Sequence, residues 1–416
     1  MPKEKIITGI DIGSTKVSTV VAAVTENKVS VIGVSGNVNS KGITKGCVVD
    51  IDSAVEAITE SIERAERMSG VSIPNAFVTI NGSHIESLNS HGVVAVTPNQ
   101  NSEISSEDVS RVIEAAQAVS LPSARETIHV IPHDYTVDTQ KGIKDPVGMQ
   151  GVRLEVETNI IHGASISLRN INRCVSQVGV NVLETIYVCV ASAESVLTDT
   201  EKELGTLLVD IGGGTTSIIA YIDGGPVHSA VFPIGGKNVT NDLAIGLRAR
   251  LEDAEKIKIR LSNFKDLADF KDKKNQEFDI SEFGLDNPHT TLPLLYKIIE
   301  ARLEEIFRLV ALELSKSNLV SKLPAGIVIT GGGSLTAGIE RVAKVTLKVP
   351  VRIGYPKGVT GLIDDIQGPD SSAAIGAILY GNELIKSGNR LSFEEQKGNI
   401  LNKLLNNLKK IKLFLP

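Results

Sequence analysis

Short apolar runs broken by glycine and acidic turns set the pattern at the start of the chain. Ile6-Ile7-Thr8-Gly9-Ile10-Asp11-Ile12-Gly13 reads as a strand ending in Asp-x-Gly. Ser14-Thr15-Lys16 and a second apolar run, Val17–Val24, follow it, then the turn Thr25-Glu26-Asn27 and a third run, Val29–Val34. Nearly two hundred residues later the pattern returns. Leu207-Leu208-Val209-Asp210-Ile211-Gly212 leads through Gly213-Gly214-Thr215-Thr216 into Ser217–Ile222, the turn Asp223-Gly224-Gly225 and Val227–Phe232. Two copies of strand, acidic glycine turn, strand, turn and strand predict two structurally related halves.

Between and after these copies the period changes. Asp52–Met68 carries Val55, Ile58 and Ile62 at helical spacing, with Asp52 or Ser53 available as a cap. His84–Val96 alternates as a strand. Ser105, three residues before Asp108, opens an amphipathic helix through Val109, Val112, Ile113, Ala116 and Val119, and the strands Glu126–Val137 and Val152–His162 follow. A strand Thr185–Val190 precedes a helix Ala191–Leu204; Glu252–Leu261 is helical; Asp266–Glu277 is a charged, solvated hairpin or loop. Ala325–Thr330 is a buried strand whose glycine turn, Gly331-Gly332-Gly333-Ser334, leads into a helix through Val345. Ser371–Gly381 is a helix of small residues.

The turns carry candidate chemistry. Gly13, Gly212, Gly213 and Gly214 lack a Cβ, so the backbone there can take positive φ and approach a ligand closely. Successive N–H groups in such a turn form an anion-binding nest. Ser14, Thr15 and Thr215 add hydroxyl donors, and Lys16 adds a point charge suited to phosphate. Asp11 and Asp210, at the strand ends, offer hard oxygens for Mg²⁺, reached through water. The third turn places Thr336 where a dinucleotide G-x-G-x-x-G needs glycine, and no Walker A sequence occurs.

Composition narrows the function classes. A chain of 416 residues with 42% hydrophobic and 22% charged residues can bury several cores. A net charge of −6 with 4% aromatics argues against a nucleic-acid binder, which needs clustered cations or stacking faces. Cys47, Cys174 and Cys189 show no metal-ligand spacing and read as small buried side chains of a cytosolic protein. No signal peptide and no apolar window of about 20 residues is found, so nothing is expected to span a bilayer.

These turns resemble a known superfamily. Asp11–Lys16 is similar to the first phosphate loop of the actin/Hsp70/hexokinase proteins, Asp210–Thr215 to the second, and Ile329–Gly338 to their adenosine loop. The resemblance implies ATP and Mg²⁺ as ligands. It places phosphate at Gly13–Lys16 and Gly212–Thr215, and the adenosine at Gly235, Glu255, Lys258 and Gly331–Ser334. Taken alone, Glu255 and Lys258 are an i,i+3 surface pair worth about 0.2–0.5 kcal/mol. Helices 191–204 and 371–381 match the pair that crosses between the halves, the second packed through Ala373, Ala374, Gly376 and Ala377. One departure bears on chemistry. Hsp70-like and MreB-like ATPases carry Glu-Pro before the first crossing helix, but here Cys189-Val190-Ala191 stands there and Glu194 lies a turn further on. Weak turnover is expected, with the nucleotide acting chiefly as a conformational and assembly ligand.

Two further segments resemble the FtsA family. The β-α-β-β unit at 84–163 is similar to the subdomain this family carries in place of an actin subdomain. No peptide-binding domain like that of Hsp70 is expected after the last core helix; a polar linker leads instead to a segment like the family's membrane-targeting helix. As a helix, Ile400, Leu401, Leu404, Leu405, Leu408, Ile411 and Leu415 fall within an arc of about 140°, with Lys403, Lys409 and Lys410 opposite. From Gln396 to Pro416 there are five lysines and no acidic residue.

The expected fold class is α/β, two related actin-like (ribonuclease H-like) halves around a nucleotide cleft, with the β-α-β-β insert and a C-terminal amphipathic helix. The first core domain takes 1–83, 164–192 and 360–386; the insert 84–163; the second core domain 193–240 and 305–359; a further subdomain 241–304; a linker 387–399; and the membrane-targeting helix 400–416. The resemblance implies self-association into filaments on the cytoplasmic face of the cell membrane, at the division septum. It also implies binding of the FtsZ C-terminal peptide through about 241–304, of later division proteins through about 84–163, and of anionic lipid. A pilus-assembly scaffold of the PilM kind and a small-molecule kinase share the fold. The amphipathic terminus speaks against the first, and the lack of a recognisable substrate-facing Asp speaks against the second.

Overall fold

The computed structural model describes residues 5–25, 28–96, 103–263, 277–281, 289–362, 364 and 366–386. Two mixed sheets share one topology. In the first, Lys28–Val34, Lys16–Thr25, Lys5–Ile12, Asn75–Ile80 and Asn181–Tyr187 lie side by side in that order. In the second, Gly225–Phe232, Thr216–Ile222, Thr206–Ile211, Ile327–Thr330 and Val351–Ile353 repeat it. The first three strands of each set are antiparallel and the next two are parallel. Even the register agrees. Asp11 faces Ser18 and Ile12 faces Val17 in one hairpin; Asp210 faces Ser217 and Ile211 faces Thr216 in the other. The internal echo in the sequence is therefore a duplication of fold.

Helices cover both sheets. Ile51–Ser69 and Ser165–Gln177 pack on the first; Gly236–Leu247, Leu251–Ser262, Leu292–Lys316 and Ile339–Leu347 belong to the second half. The cap of the first helix is Asp50, earlier than Asp52 or Ser53, because its carboxylate accepts both the N–H and the hydroxyl of Ser53. The expected helix 191–204 is two helices, Val188–Val196 and Asp199–Leu204. Thr198 breaks it by forming a capping box with Glu201.

Val188–Val196 and Ser372–Lys386 cross where the halves meet. Gly376 permits the crossing: a Cβ there would stand 1.8 Å from the Ala191 carbonyl oxygen. The hydroxyl of Ser195 donates to the Ser372 carbonyl at 2.8 Å beside it. Around this crossing, Phe77, Tyr187 and Ile375 are buried in the first core, while Phe307, Leu295 and Ile329 fill the second.

The insert is a separate sheet with its own small core around Val112, Leu154 and Val156. Its order is Gln140–Ile143, Arg125–Val137, Arg153–Ala164, Glu86–Ala95. The helix Ser106–Gln117 has Ser105 as cap and a reciprocal box with Asp108, as the spacing predicts. The short strand Gln140–Ile143 is additional to the predicted β-α-β-β unit; it returns after a turn in which Asp138 takes φ 53°. No helix among the described residues is long and apolar enough to cross a membrane. The predicted linker 387–399 and membrane-targeting helix 400–416 lie outside the described residues, as does most of the charged stretch 266–277, whose last residue, Glu277, opens a short strand.

Candidate functional site

Each duplicated hairpin turns through the same closure. The Gly13 N–H donates to the Lys16 carbonyl at 2.9 Å, and the Gly212 N–H to the Thr215 carbonyl at 2.9 Å. The two turns face each other across the junction of the halves. A Cβ on Gly213 would lie 1.7 Å from the Thr15 hydroxyl oxygen, and one on Gly214 3.1 Å from the Ser14 side chain. Glycine is thus needed here for close approach and not for backbone sign, since none of Gly13, Gly212, Gly213 and Gly214 takes positive φ. Among the described residues the N–H groups of Ser14, Thr15, Gly213 and Gly214 have no hydrogen-bond partner. Four amide donors converge with the Ser14, Thr15 and Thr215 hydroxyls, which is the composition of an anion nest.

Beneath the turns lie the two aspartates. Asp11 accepts the Thr79 hydroxyl at 2.6 Å and Asp210 accepts the Ser192 hydroxyl at 2.7 Å. Burial pushes the Asp210 carboxyl up to about 7; the Ser192 bond opposes this and the charge of Asp11 adds to it. Burial likewise raises Asp11, against the Thr79 bond. Both carboxyls are held reluctant to ionise; the charge of Lys16 opposes this only in part, since its amine is bonded to Asp370 at 2.8 Å and to Asn37 at 3.0 Å. A divalent cation fits that deficit. No group of three or more His, Cys, Asp or Glu among the described residues could hold a metal, so such an ion would rely on ligand oxygens and water, as Mg²⁺ does.

The third turn closes the site. Gly331 takes φ 82°, and a Cβ on it would meet the Asp210 carboxylate at 2.3 Å. Gly333 packs against Ile211, Gly235 against the Gly212 carbonyl, and Ser334 bonds the Gly331 carbonyl at 2.7 Å. Gly332 lies beside Asp370, its own Cβ position 3.5 Å from that side chain. Lys258 donates to Glu255 at 2.7 Å, to the Thr240 hydroxyl at 2.9 Å and to the Gly236 carbonyl at 3.3 Å. The sequence-predicted glycines, Ser334, Glu255 and Lys258 thus converge from three segments on one side of the paired turns.

Sequence reasoning missed several groups here. Asn81 bridges the halves, donating to the Thr215 hydroxyl at 2.9 Å and accepting from Ser217 at 2.8 Å. Lys237 reaches across to the Ser14 carbonyl at 2.6 Å. Asp370, in the Gly368-Pro369-Asp370 turn before the last helix, meets Lys16. Glu194 points away, bound to Lys202 at 2.7 Å. A separate cleft of about 680 Å³, between the insert and the second half, is lined by Asn89, His133, Asp223, His228 and Lys322 and contains none of these groups.

Known proteins share this frame. The family described as "SHS2 domain inserted in FTSA" matches residues 82–162, and "Cell division protein FtsA" matches 207–376. The FtsA of Pseudomonas aeruginosa is 40% identical over 96% of each chain; that of Bacillus subtilis is 37% identical over 91% of this chain and 84% of its own. The chain belongs to the FtsA family. FtsA of Escherichia coli K12 is 35% identical over 91% of both chains. Among solved structures, the PilM–PilN type IV pilus biogenesis complex superposes with a TM-score of 0.65 at 15% identity, covering 90% of this chain and 98% of the other. MreB5 of Spiroplasma citri bound to ADP gives 0.55 at 14%, covering 92% and 97%. These likenesses carry the actin-like fold; the FtsA relatives make this a cell-division protein.

Proposed function

We propose that this FtsA-family chain binds Mg-ATP between its halves, assembles into filaments on the cytoplasmic face of the cell membrane, and ties FtsZ to that surface at the septum. The observation that carries the nucleotide reading is the pairing of the turns. Four unpartnered amides, three hydroxyls and two charge-starved aspartates face one another across the junction of the halves. Gly13–Lys16 and Gly212–Thr215 would hold the phosphates, Asp11 and Asp210 the hydrated Mg²⁺, and Gly235, Glu255, Lys258 and Gly331–Ser334 the adenosine. Asp11 and Asp210 would then face the charge of the nucleotide's hydrated cation, and the free amides of the two turns would donate to phosphate oxygens. Glu194 is bound to Lys202, which supports reading ATP as an assembly ligand with at most weak turnover.

The tether is argued from sequence. As a helix Ile400–Leu415 would be about 24 Å long, short of the ~30 Å hydrocarbon core, so it would lie in the interface with its lysines toward anionic lipid. Residues 241–304 would take the FtsZ C-terminal peptide and 84–163 later division proteins, both inferred from family membership. Titration with a fluorescent ATP analogue tests the nucleotide site: Lys16→Ala and Asp210→Ala should each weaken binding at least about tenfold. Wild-type affinity in both variants would refute the assignment. Co-sedimentation with anionic vesicles and FtsZ, with and without ATP, tests the assembly.

A further inference from the structure

Lys16 is the one lysine on the first phosphate-like turn, and its amine already has an anionic partner. It donates to Asp370 Oδ2 at 2.8 Å and to Asn37 Oδ1 at 3.0 Å, leaving one of its three protons uncommitted to these acceptors. Neither partner belongs to the turn. Asp370 arrives from the other end of the chain, on the short turn Pro369–Ser371. That turn is fixed to the third glycine cluster, for the Pro369 carbonyl accepts the Gly331 N–H at 3.1 Å and the Thr330 hydroxyl at 3.3 Å. The pair is partly sheltered, with side-chain exposures of 18% and 23%. Burial alone would raise the Asp370 carboxyl, yet the amine of Lys16 overrides it and holds the group below the ordinary range. The carboxylate is therefore charged, bound, and placed between the first phosphate-like turn and the adenosine-like turn.

We propose that Asp370 is a built-in competitor for phosphate at Lys16. The inference rests on the nucleotide reading above and extends it to how that site is gated. An incoming triphosphate offers Lys16 a stronger anion, and the two anions cannot share the amine without mutual repulsion. Binding must exchange the Lys16–Asp370 bond for a Lys16–phosphate bond. Affinity is reduced by whatever the internal pair contributes. The exchange also has a mechanical consequence, because the freed carboxylate sits on the turn that begins Ser372–Lys386. Ser372 in that helix bonds Thr330 at 2.8 Å and accepts from Ser195 of the other crossing helix. Release of Asp370 is thus felt where the halves cross.

The competitor makes an unusual prediction, that deleting a charge beside the site tightens binding. Asp370→Asn preserves shape and an acceptor oxygen but surrenders the ionic bond. Isothermal titration of the full chain with sodium tripolyphosphate, and with ATP in the presence and absence of Mg²⁺, should show affinity raised about tenfold for both probes. In a Lys16→Ala background the same substitution should change affinity by less than about twofold, since no amine remains to be competed for. Gain that persists without Lys16 would mean simple repulsion at a distance and would overturn the competitor. Loss of affinity confined to the Mg²⁺ titrations would overturn it too, by making Asp370 a third carboxylate for the cation. Unchanged affinity in a variant whose wild type binds ATP removes the competitor and leaves the nucleotide site standing; absence of binding to either probe in every variant removes both. Thermal melting checks that Asp370→Asn folds. If it does not, Asp370→Ser, which also surrenders the ionic bond, is titrated in the same way and should give the same gain, whose absence would count equally against the proposal.

Discussion

Replacing His129 with glutamine should lower stability slightly at neutral pH and raise it in acid. His129 lies on the insert strand Arg125–Val137, buried where that strand meets the first core domain. Its Nε2 accepts the Tyr187 N–H at 3.0 Å, its ring stands edge-on to Tyr380 with centroids 5.8 Å apart, and Nδ1 lies 4.0 Å from Glu184. Burial pushes the imidazole pKa down to about 4. An unfolded histidine titrates near ~6.5, so between those values the unfolded chain takes a proton that the folded chain refuses. Stability is then complete above about pH 7 and falls as the pH drops through ~6.5 toward 4. At ~1.4 kcal/mol per pKa unit the loss is about 2 kcal/mol at pH 5 and about 3 kcal/mol at pH 4. Glutamine keeps a carbonyl oxygen for Tyr187 but loses the ring contact with Tyr380, a deficit of about 1 kcal/mol at pH 7.5. The two stability curves should cross between about pH 5 and 6. Glu184, which burial raises against the hydrogen bond from Tyr380, titrates in the opposite sense and keeps both of these influences in the variant, so the difference comes chiefly from His129. With no tryptophan in the chain, urea unfolding is best followed by circular dichroism at several pH values. A wild-type-minus-variant difference that stays constant from pH 7.5 to 5 would refute the argument from burial.

Gly376→Ala should cost about 1–3 kcal/mol and lower the urea midpoint, because its methyl group would drive the crossing helices apart at Ala191. It should also weaken nucleotide binding, since Ser192 on the displaced helix is the hydrogen-bond donor to Asp210. Leu408→Asp places a charge in the middle of the predicted apolar stripe, and the variant should remain in the supernatant when anionic vesicles are pelleted. Asn406→Asp changes only the polar face and should pellet nearly as well as wild type; equal pelleting of both would end the tether reading. Both should bind ATP as wild type does.

What the sequence disclosed, and what it hid, follows from the range of the interactions. Each duplicated hairpin is local: its strands are consecutive, its register is fixed by one closed turn, and its aspartate marks the strand end. Local order leaves a repeating pattern, and that pattern gave the two halves and both facing turns. Capping signals are equally local, and Ser105 with Asp108 was legible for that reason. Thr198-Asp199-Thr200-Glu201 carries the same kind of signal and announces the break before the second short helix; it was obscured by the apolar run ahead of it.

The groups that complete the site are of another kind. Lys16 and Asp370 are 354 residues apart, Asn81 and Thr215 are 134 apart, and Lys237 reaches a carbonyl 223 positions away. Each is a single polar residue with no period and no neighbour to mark it, and each gains meaning only when distant segments are brought together where the turns face and the helices cross. Yet these are the contacts that hold the two turns together before any ligand arrives. Gly213 against Thr15, Lys237 on Ser14 and Asn81 on Thr215 all join one half to the other through the phosphate-binding candidates themselves. A triphosphate bound between the turns as proposed would place its oxygens on the free amides of Ser14, Thr15, Gly213 and Gly214 and so bridge the same two turns. If nucleotide binds there as proposed, occupancy of the site and the relation of the halves are coupled, and a filament whose subunits differ by that relation would respond to nucleotide binding without needing hydrolysis.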